Sequence, residues 1–427
     1  MTRRLPHGLL NLRLIVLLLA VMAAAFALGP APARADALAQ PPAQSGASEP
    51  RRVMMMLDLG PEHYRSGSDY GGGYGDAMGA KARLRFARKV AREHRLAVVD
   101  SWPMPLIGVD CIILEIRDAR TVDAVVQELS GVPGVSWSQP LNEFEMLEAR
   151  PPGGPAAPSV SYNDRLFSAQ PAASLWHLAR LHAVATGRGV TVAVIDSRVD
   201  LAHPDLAGQI AGAVDFVPNR PQAERHGTGV AGIIAARSNN AQGIAGVAPG
   251  ARILALRACW ERSSGGATVC DSLTLARALT YAIEHGAGVM NMSLTGPHDP
   301  LITRLVALAT SRGAVVVAAI DEQNPPASFP AFLPGVVSVG DERLSDRSHS
   351  AYKAPGLDVL TTQPEGKWDL VSGSSYAAAH VSGLVALLRQ LTGNHASADA
   401  LLGPHGTLDA CAAIARVSRL DRVACAR

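Results

Sequence analysis

Three residues of this 427-residue chain have the types and surroundings that nucleophilic acyl transfer requires. Asp196 ends the apolar run 192–195, His226 directly precedes a Gly-Thr-Gly sequence, and Ser375 lies in a turn of small residues. In this chemistry an imidazole takes the proton of a hydroxyl group, and a carboxylate orients the imidazole and stabilises its charged form. Each residue alone is unremarkable, but their combination in this order predicts one hydrolytic site.

The elements around these residues would place them at one edge of a sheet. Asp196 would lie at the carboxyl end of a buried strand, where α/β folds carry their sites. His226 and Ser375 would each begin a helix, and the N–H groups at the start of the Ser375 helix would stabilise a developing oxyanion.

Residues 163–427 alternate between short β-branched runs and helical segments, which predicts a doubly wound α/β fold with a parallel sheet. The predicted strands are 190–195, 252–256, 288–292, 314–319 and 336–339, and the predicted helices are 227–237, 272–284 and 300–312.

A smaller domain is predicted before it, over residues 51–147. Its pattern is β-α-β-β-α-β, which is typical of a ferredoxin-like α+β domain. The predicted elements are 52–57, 77–94, 96–100, 111–116, 121–129 and 135–139. The Pro- and Gly-rich segment 148–162 is the predicted linker between the two domains.

The first 35 residues have the features of a signal peptide. Three arginines precede the apolar run 14–28, and Ala33 and Ala35 stand at the two positions that a signal peptidase recognises. The run is too short for the ~30 Å hydrocarbon core of a membrane. We therefore expect cleavage and a secreted or periplasmic protein, with residues 36–50 as a disordered spacer.

Export makes disulfide bonds the expected state of the cysteines. Cys259 and Cys270 flank a short polar loop, and Cys411 and Cys425 bracket the C-terminal segment, so each pair is a candidate. Cys111 is left in the smaller domain. No cysteine spacing resembles that of a metal site.

Longer segments around the three residues resemble the subtilisin-like (S8) family of serine peptidases. VAVIDSRVDLAHPDL is similar to the family's aspartate motif, HGTGVAGIIAA to its histidine motif and SGSSYAAAHVSGLVALL to its serine motif. NMSL, VAPGARILALR and APGLDVLTT also resemble family segments, and the resemblance extends from about Asn163 to Asp409.

This resemblance implies a serine endopeptidase that acts on proteins or peptides. Asp196 would orient His226, His226 would act as base and then acid, and Ser375 would attack the carbonyl group. The smaller domain would be a propeptide that inhibits the enzyme until it is cut away between about residues 143 and 159. Ser293, Leu294, Thr295 and Gly296 would pair with an extended substrate as an added strand. Calcium stabilises many family members, but the sequence has no convincing carboxylate loop, so calcium is left open.

One segment departs from the family pattern. Family members usually carry, after the strand corresponding to 315–319, an Asn that donates to the oxyanion. Without a gap Glu322 stands at that position, and with a small gap Asn324 does. Loss of one such donor typically costs about 10²–10³ in rate. We keep Asn324 as the candidate donor, and we hypothesise that Asp321 or Glu322 faces the specificity pocket and favours Lys or Arg there.

Other functional classes have less support. Lys and Arg are scattered, which argues against a nucleic-acid surface. The Gly-x-Gly-x-x-Gly sequence at 227–232 follows a polar segment rather than a strand, which argues against a dinucleotide site. His203 is interpreted as structural. The main alternative is a pseudoprotease that binds extended peptides without turnover because the oxyanion segment is altered.

Overall fold

The computed structural model describes residues 50–59, 77–147, 162–218, 222–262, 266–324, 328–345, 351–393 and 398–418. The predicted signal peptide, almost all of the spacer and almost all of the linker lie outside these residues. Arg51 onward forms one compact unit.

The first part of this unit is the predicted β-α-β-β-α-β domain. Its elements are β1 (Arg52–Asp58), α1 (Ala77–Glu93), β2 (Leu96–Met104), β3 (Val109–Ile116), α2 (Val122–Ser130) and β4 (Trp137–Pro140). The sheet order is β2-β3-β1-β4, and the pairs are antiparallel. The sequence prediction is therefore confirmed to within a few residues at most boundaries.

Both faces of this sheet are covered, because β1 carries apolar side chains on both of its faces. Val53, Met55 and Leu57 pack against α1 and α2. Met54 and Met56 lie on the opposite face and belong to a core shared with the larger domain. The smaller domain is thus docked through its own sheet.

The chain then forms β5 (Glu143–Met146), which leaves the small sheet, and enters the larger domain through α3 (Pro171–Leu175) and α4 (Leu178–His182). The elements that follow are β6 (Thr191–Asp196), β7 (Ile210–Asp215), α5 (Arg225–Ala235), β8 (Arg252–Arg257), β9 (Cys259–Glu261), β10 (Thr268–Asp271), α6 (Ser272–Glu284), β11 (Val289–Met292), β12 (Leu294–Thr295), α7 (Pro300–Ser311), β13 (Val315–Ala319) and β14 (Val336–Gly340). The last elements are β15 (Tyr352–Lys353), β16 (Val359–Gln363), β17 (Lys367–Val371), α8 (Ser374–Thr392), α9 (Ala398–Leu402), β18 (Gly406–Thr407) and α10 (Ala410–Val417).

The larger domain is built on an eight-stranded sheet in the order β18-β15-β14-β13-β11-β6-β8-β7. All of its strand pairs are parallel. One face packs against α5 and α8 and the other against α6 and α7. This is the predicted doubly wound α/β architecture, and the smaller domain lies on the outer side of α6 and α7.

A second, four-stranded sheet joins the two domains. Its order is β12-β5-β10-β9, and its pairs are antiparallel. The last strand of the segment 51–147, β5, therefore lies between two strands of the larger domain.

The disulfide Cys259–Cys270 links β9 to β10, as the sequence predicted. Cys411 is also disulfide-bonded, and its predicted partner Cys425 lies outside the described residues. Cys111 is free and buried. Among the helices that the structure describes, none has both the length and the apolar character that a membrane crossing needs.

Candidate active site

Asp196 and His226 form a buried hydrogen-bonded pair. His226 Nδ1 lies 2.9 Å from Asp196 Oδ1 and 3.0 Å from Oδ2, and neither side chain is exposed to solvent. Asp196 is the last residue of β6, and its Oδ1 also accepts from the Ser197 N–H at 2.6 Å. A carboxylate on Nδ1 leaves Nε2 as the nitrogen that can exchange a proton with a hydroxyl group.

Glycines allow the histidine helix to approach this closely. A Cβ atom at Gly227 would lie 2.3 Å from the Ser197 carbonyl oxygen. A Cβ atom at Gly232 would lie 2.1 Å from Thr362 Oγ1, in the hairpin β16–β17 on the other side of the helix. The glycines of this motif therefore serve helix packing.

Ser375 is the second residue of α8 and is fully buried. Gly373, the residue immediately before this helix, has φ 143°, a value that favours glycine. Ser375 Oγ donates to the Ser293 carbonyl oxygen at 2.8 Å. The His226 ring lies 5.3 Å from the ring of Tyr376, the residue after Ser375, so the three predicted segments meet at one place.

The chain's own strand β5 occupies the cleft beside Ser375. Met146 pairs with Leu294 and Glu145 with Thr295 on one side of β5. The backbone N–H of Leu147, the next residue, lies 3.2 Å from Ser375 Oγ. An extended peptide is thus aligned so that its backbone passes the hydroxyl group of Ser375.

The predicted substrate-binding residues Ser293–Gly296 line one wall of this cleft. Leu294 and Thr295 make the strand pairs, and Ser293 Oγ donates to the Ser375 carbonyl oxygen at 2.9 Å. A Cβ atom at Gly296 would lie 2.3 Å from the Phe144 ring, so glycine leaves the space that this side chain fills. Phe144 also packs on Phe329, with ring centroids 6.1 Å apart.

The segment after β13 contains Glu322 and Asn324, the two residues that can be aligned with the family's oxyanion donor. Glu322 Oε1 accepts from the Asp341 N–H at 2.9 Å, and its Oε2 lies 3.3 Å from Arg343 Nε. Asn324 is exposed, and its N–H donates to the Asp321 carbonyl oxygen. The role of Asn324 as an oxyanion donor stays a prediction.

The two acidic residues of this segment have partners within or beside it. The Asp321 carboxylate accepts from the Gln323 N–H at 2.9 Å, and that of Glu322 lies against Arg343. Burial, and then the hydrogen bond with the Asp341 carboxyl group, raises the pKa of Glu322 to about 7. The hypothesis that either residue favours Lys or Arg in the pocket stays untested.

His203 has the structural role that the sequence analysis expected. It is buried, with Nε2 2.9 Å from the Lys367 carbonyl oxygen, and its Nδ1 accepts from the Asp205 N–H. Within the described residues, no group of three or more His, Cys, Asp or Glu side chains is arranged to hold a metal ion. Calcium binding stays an open expectation.

Three residues at the site were missed in the sequence analysis: Phe144, Leu147 and Phe329. The first two lie in Glu-Phe-Glu-Met-Leu, which alternates polar and apolar residues immediately before the Pro- and Gly-rich linker. That alternation is the signal of a short strand.

Comparison with known proteins agrees with this geometry. The model of the subtilase (peptidase S8) family matches residues 187–405. A thermophilic serine proteinase from Bacillus sp. (strain AK1) is 37% identical over 284 residues, which cover 62% of this chain and 66% of that protein. Thermitase from Thermoactinomyces vulgaris is 38% identical over 218 residues, 48% of this chain and 76% of that protein.

Among solved structures, fervidolysin from Fervidobacterium pennivorans, described as a keratinolytic enzyme related to subtilisin, has the same fold. The TM-score is 0.64 at 23% identity, over 86% of this chain and 61% of that one. The chain thus spans about two thirds of the Bacillus proteinase and somewhat less of fervidolysin. The matched residues 187–405 contain Asp196, His226 and Ser375, and the chain belongs to the subtilase family.

Proposed function

We propose that this chain is a serine endopeptidase that hydrolyses peptide bonds with Asp196, His226 and Ser375. The observation that carries the proposal is the position of β5, whose extended backbone leads past the buried Ser375. Tyr376, the next residue, packs against the ring of His226, and His226 is hydrogen-bonded to Asp196.

In the proposed reaction His226 takes the proton of the Ser375 hydroxyl group as Oγ attacks the peptide carbonyl. Asp196 holds the imidazole through Nδ1 and stabilises its positive charge. His226 then donates the proton to the leaving amine, and water hydrolyses the acyl-enzyme by the same steps in reverse order. The N–H groups in the first turn of α8 would stabilise the oxyanion. Activity should fall at low pH, because His226 must be neutral to accept the proton.

We also propose that the N-terminal domain inhibits the enzyme until the connection beside Leu147 is cut. Three contacts of the described residues support this. The apolar face of its sheet is buried against α6 and α7, β5 fills the cleft, and the Leu147 amide reaches Ser375 Oγ. The amide nitrogen of the Met146–Leu147 peptide bond lies 3.2 Å from the hydroxyl oxygen, so we expect cleavage at or next to Leu147.

Export to the periplasm or the medium is part of the same proposal. The support is the leader sequence together with the disulfide between Cys259 and Cys270, since such bonds persist in oxidising compartments.

The test is to express the full chain as wild type, Ser375→Ala and Ser374→Ala. Ser374 is the buried neighbour of Ser375 and serves as the matched control. We expect wild type and Ser374→Ala to cut themselves, to give a new N-terminus at Leu147 or Glu148, and then to react with a fluorophosphonate probe. Ser375→Ala should stay uncut and unlabelled.

Two results would contradict the proposal. A folded wild type that neither cuts itself nor reacts with the probe would favour a pseudoprotease. A Ser375→Ala variant that matures normally after purification would show that another protease does the cutting.

A further inference from the structure

The outer end of the cleft is formed by the hairpin of β9 and β10. β10 pairs with β5 on the side opposite to β12, with Val269 opposite Glu145 and Asp271 opposite Glu143. A bound peptide therefore contacts this hairpin through the residues that precede the one at Ser375.

The hairpin is anchored to the rest of the site on several sides. The disulfide Cys259–Cys270 joins its two strands, and Glu261 N–H donates to Glu224 Oε1 at 3.1 Å. Glu261 Oε1 in turn accepts from the N–H of Arg225, the residue before His226, at 2.9 Å. The hairpin thus keeps a defined position relative to the histidine helix.

Arg262 follows β9 at the end of this anchored strand. Its N–H donates to the Ala267 carbonyl oxygen at 3.1 Å. Its guanidinium group pairs with the carboxylate of Glu143 in β5. Asp271, directly opposite Glu143, does not compete for this contact because its own carboxylate caps α6 by accepting from the Thr274 N–H at 2.8 Å.

We propose that Arg262 is a specificity residue that selects peptides with a carboxylate side chain at one outer position. Counted from the peptide residue whose amide lies at Ser375, this position is four residues towards the N-terminus. The proposal rests on the proposed peptidase function and adds to it the charge of an outer substrate position. Glu143 occupies this position in the uncut chain, and Leu147 is the residue at Ser375.

The preference is a modest one. The side chains of Arg262 and Glu143 are 57% and 42% exposed, so solvent screens their attraction. An exposed ion pair of this kind typically changes an equilibrium constant or a ratio of rates by about 1.5- to 5-fold. It follows that Arg262 should affect the choice between peptides far more than the rate on a neutral one.

The test uses quenched fluorescent peptides Xaa-Phe-Glu-Met-Leu-Glu-Ala in which Xaa is Glu, Gln or Lys. The readout is kcat/KM for the wild type, Arg262→Glu, Arg262→Ala and Arg262→Lys. The wild type should prefer Glu over Gln by about 1.5- to 5-fold and Gln over Lys. Arg262→Glu should reverse the order, Arg262→Ala should abolish it, and Arg262→Lys should retain it. The wild-type preference should shrink in about 1 M salt, because salt screens exposed charges.

The outcomes for this proposal and for the peptidase function are separable. If the wild type cuts all three peptides equally, or if Arg262→Glu keeps the wild-type order, the role of Arg262 is wrong and the peptidase function stands. If Ser375→Ala cuts the neutral peptide as well as the wild type does, the proposed function itself fails.

Discussion

Glu322 is held in a group of charges that also contains Asp341 and Arg343. Arg343 contacts both carboxylates, and Asp341 is fully buried. Asp341 also packs against Gly356, whose carbonyl oxygen accepts from the N–H of Gly373 at the start of α8. The protonation of this group is therefore connected by direct packing to the turn that presents Ser375.

Glu322→Gln should make the folded protein more stable at neutral to alkaline pH. The pKa of Glu322 is raised to about 7 from 4.5, chiefly by burial, so the folded state favours the neutral carboxyl group. The stability that this group contributes is complete below pH 4.5 and is lost as the pH rises through 7. The glutamine stays neutral and keeps an oxygen for the Asp341 N–H.

The measurement is denaturant unfolding of the Ser375→Ala protein with and without Glu322→Gln, because that background cannot digest itself. We expect a gain of about 1–3 kcal/mol at about pH 8 and little change at about pH 4. Glu365→Gln, at an exposed residue paired with Lys367, is the control and should have no comparable effect. An equal change at both pH values would rule out titration of Glu322 as the cause.

The chemistry of individual residues was predictable where it depends on local sequence. The motifs around Asp196, His226 and Ser375 each fix a strand end or a helix start within a few positions, so their meeting could be predicted. The partner of Glu322 is a backbone N–H 19 positions later, at the end of a neighbouring strand, and no local pattern indicates it.

At the scale of elements, the hairpin of β9 and β10 combines a cross-link with a binding edge. Cys259 and Cys270 are directly opposite each other in the ladder, and β10 is the strand that contacts β5. The cross-link therefore restrains the strand against which a peptide must lie.

Cys259→Ser, Cys270→Ser and the double variant should each lose about the same stability, up to about 3 kcal/mol. The reason is that either substitution removes the whole cross-link. In the active enzyme KM should rise more than kcat falls, since β10 pairs with the backbone that lies in the cleft. Denaturant unfolding in the Ser375→Ala background and peptide kinetics measure the two effects. Losses that add up in the double variant would indicate side-chain packing and not the cross-link.

Five strands of the parallel sheet, β6, β8, β11, β13 and β14, were predictable because they are continuous apolar runs. The sequence analysis missed β5, β7, β9, β10, β12 and β15–β18, and of these β5 and β7 alternate between the two faces. The pairing partners of β5 come from distant parts of the chain. β5 is a strand because β10 and β12 lie on either side of it.

At the scale of the whole molecule, the two domains are joined by polar contacts as well as by the apolar core. Asp299, fully buried at the start of α7, accepts from Gln139 Nε2 at 2.9 Å and from Asn142 Nδ2 at 3.0 Å. The N–H of Ser272, at the start of α6, donates to the Asn142 carbonyl oxygen at 3.0 Å. The segment between β4 and β5 is thus fixed to the beginnings of both helices.

Asn142→Ala should loosen β5 without unfolding either domain, because it removes the amide donor to Asp299 but leaves the backbone contacts. Asp299 keeps its donor from Ser272 Oγ at 2.6 Å, so the loss is that of one hydrogen bond to a charged group. Such a bond contributes about 1.5–3 kcal/mol, so exchange of the β5 amide hydrogens should accelerate about 10- to 150-fold. Hydrogen exchange of the uncut Ser375→Ala chain measures this. Gln127→Ala, at an exposed position of α2, is the control. Exchange in β5 at the parent rate would show that the amide contact does not hold the strand.

The two separate folds were predictable from the sequence, but the contact between them was not. Met54 and Met56 indicated only a strand with two apolar faces, and either face could have been covered by the domain's own helices. Which one meets α6 and α7 depends on the assembled shape of both domains.

The sheet β12-β5-β10-β9 has a consequence for the proteins that this enzyme can attack. If β5 leaves after the proposed cleavage, β12 and β10 become two facing edges separated by two strand spacings, about 9.5 Å. An α-helix with its side chains is about 10–12 Å across, and a hairpin brings a second strand, so neither fits between the edges. A target must therefore lose its own secondary structure over at least the four residues that β5 spans before it can be cut. The rate of attack on a folded protein would then report how often that protein opens locally, and well-ordered neighbours would be spared.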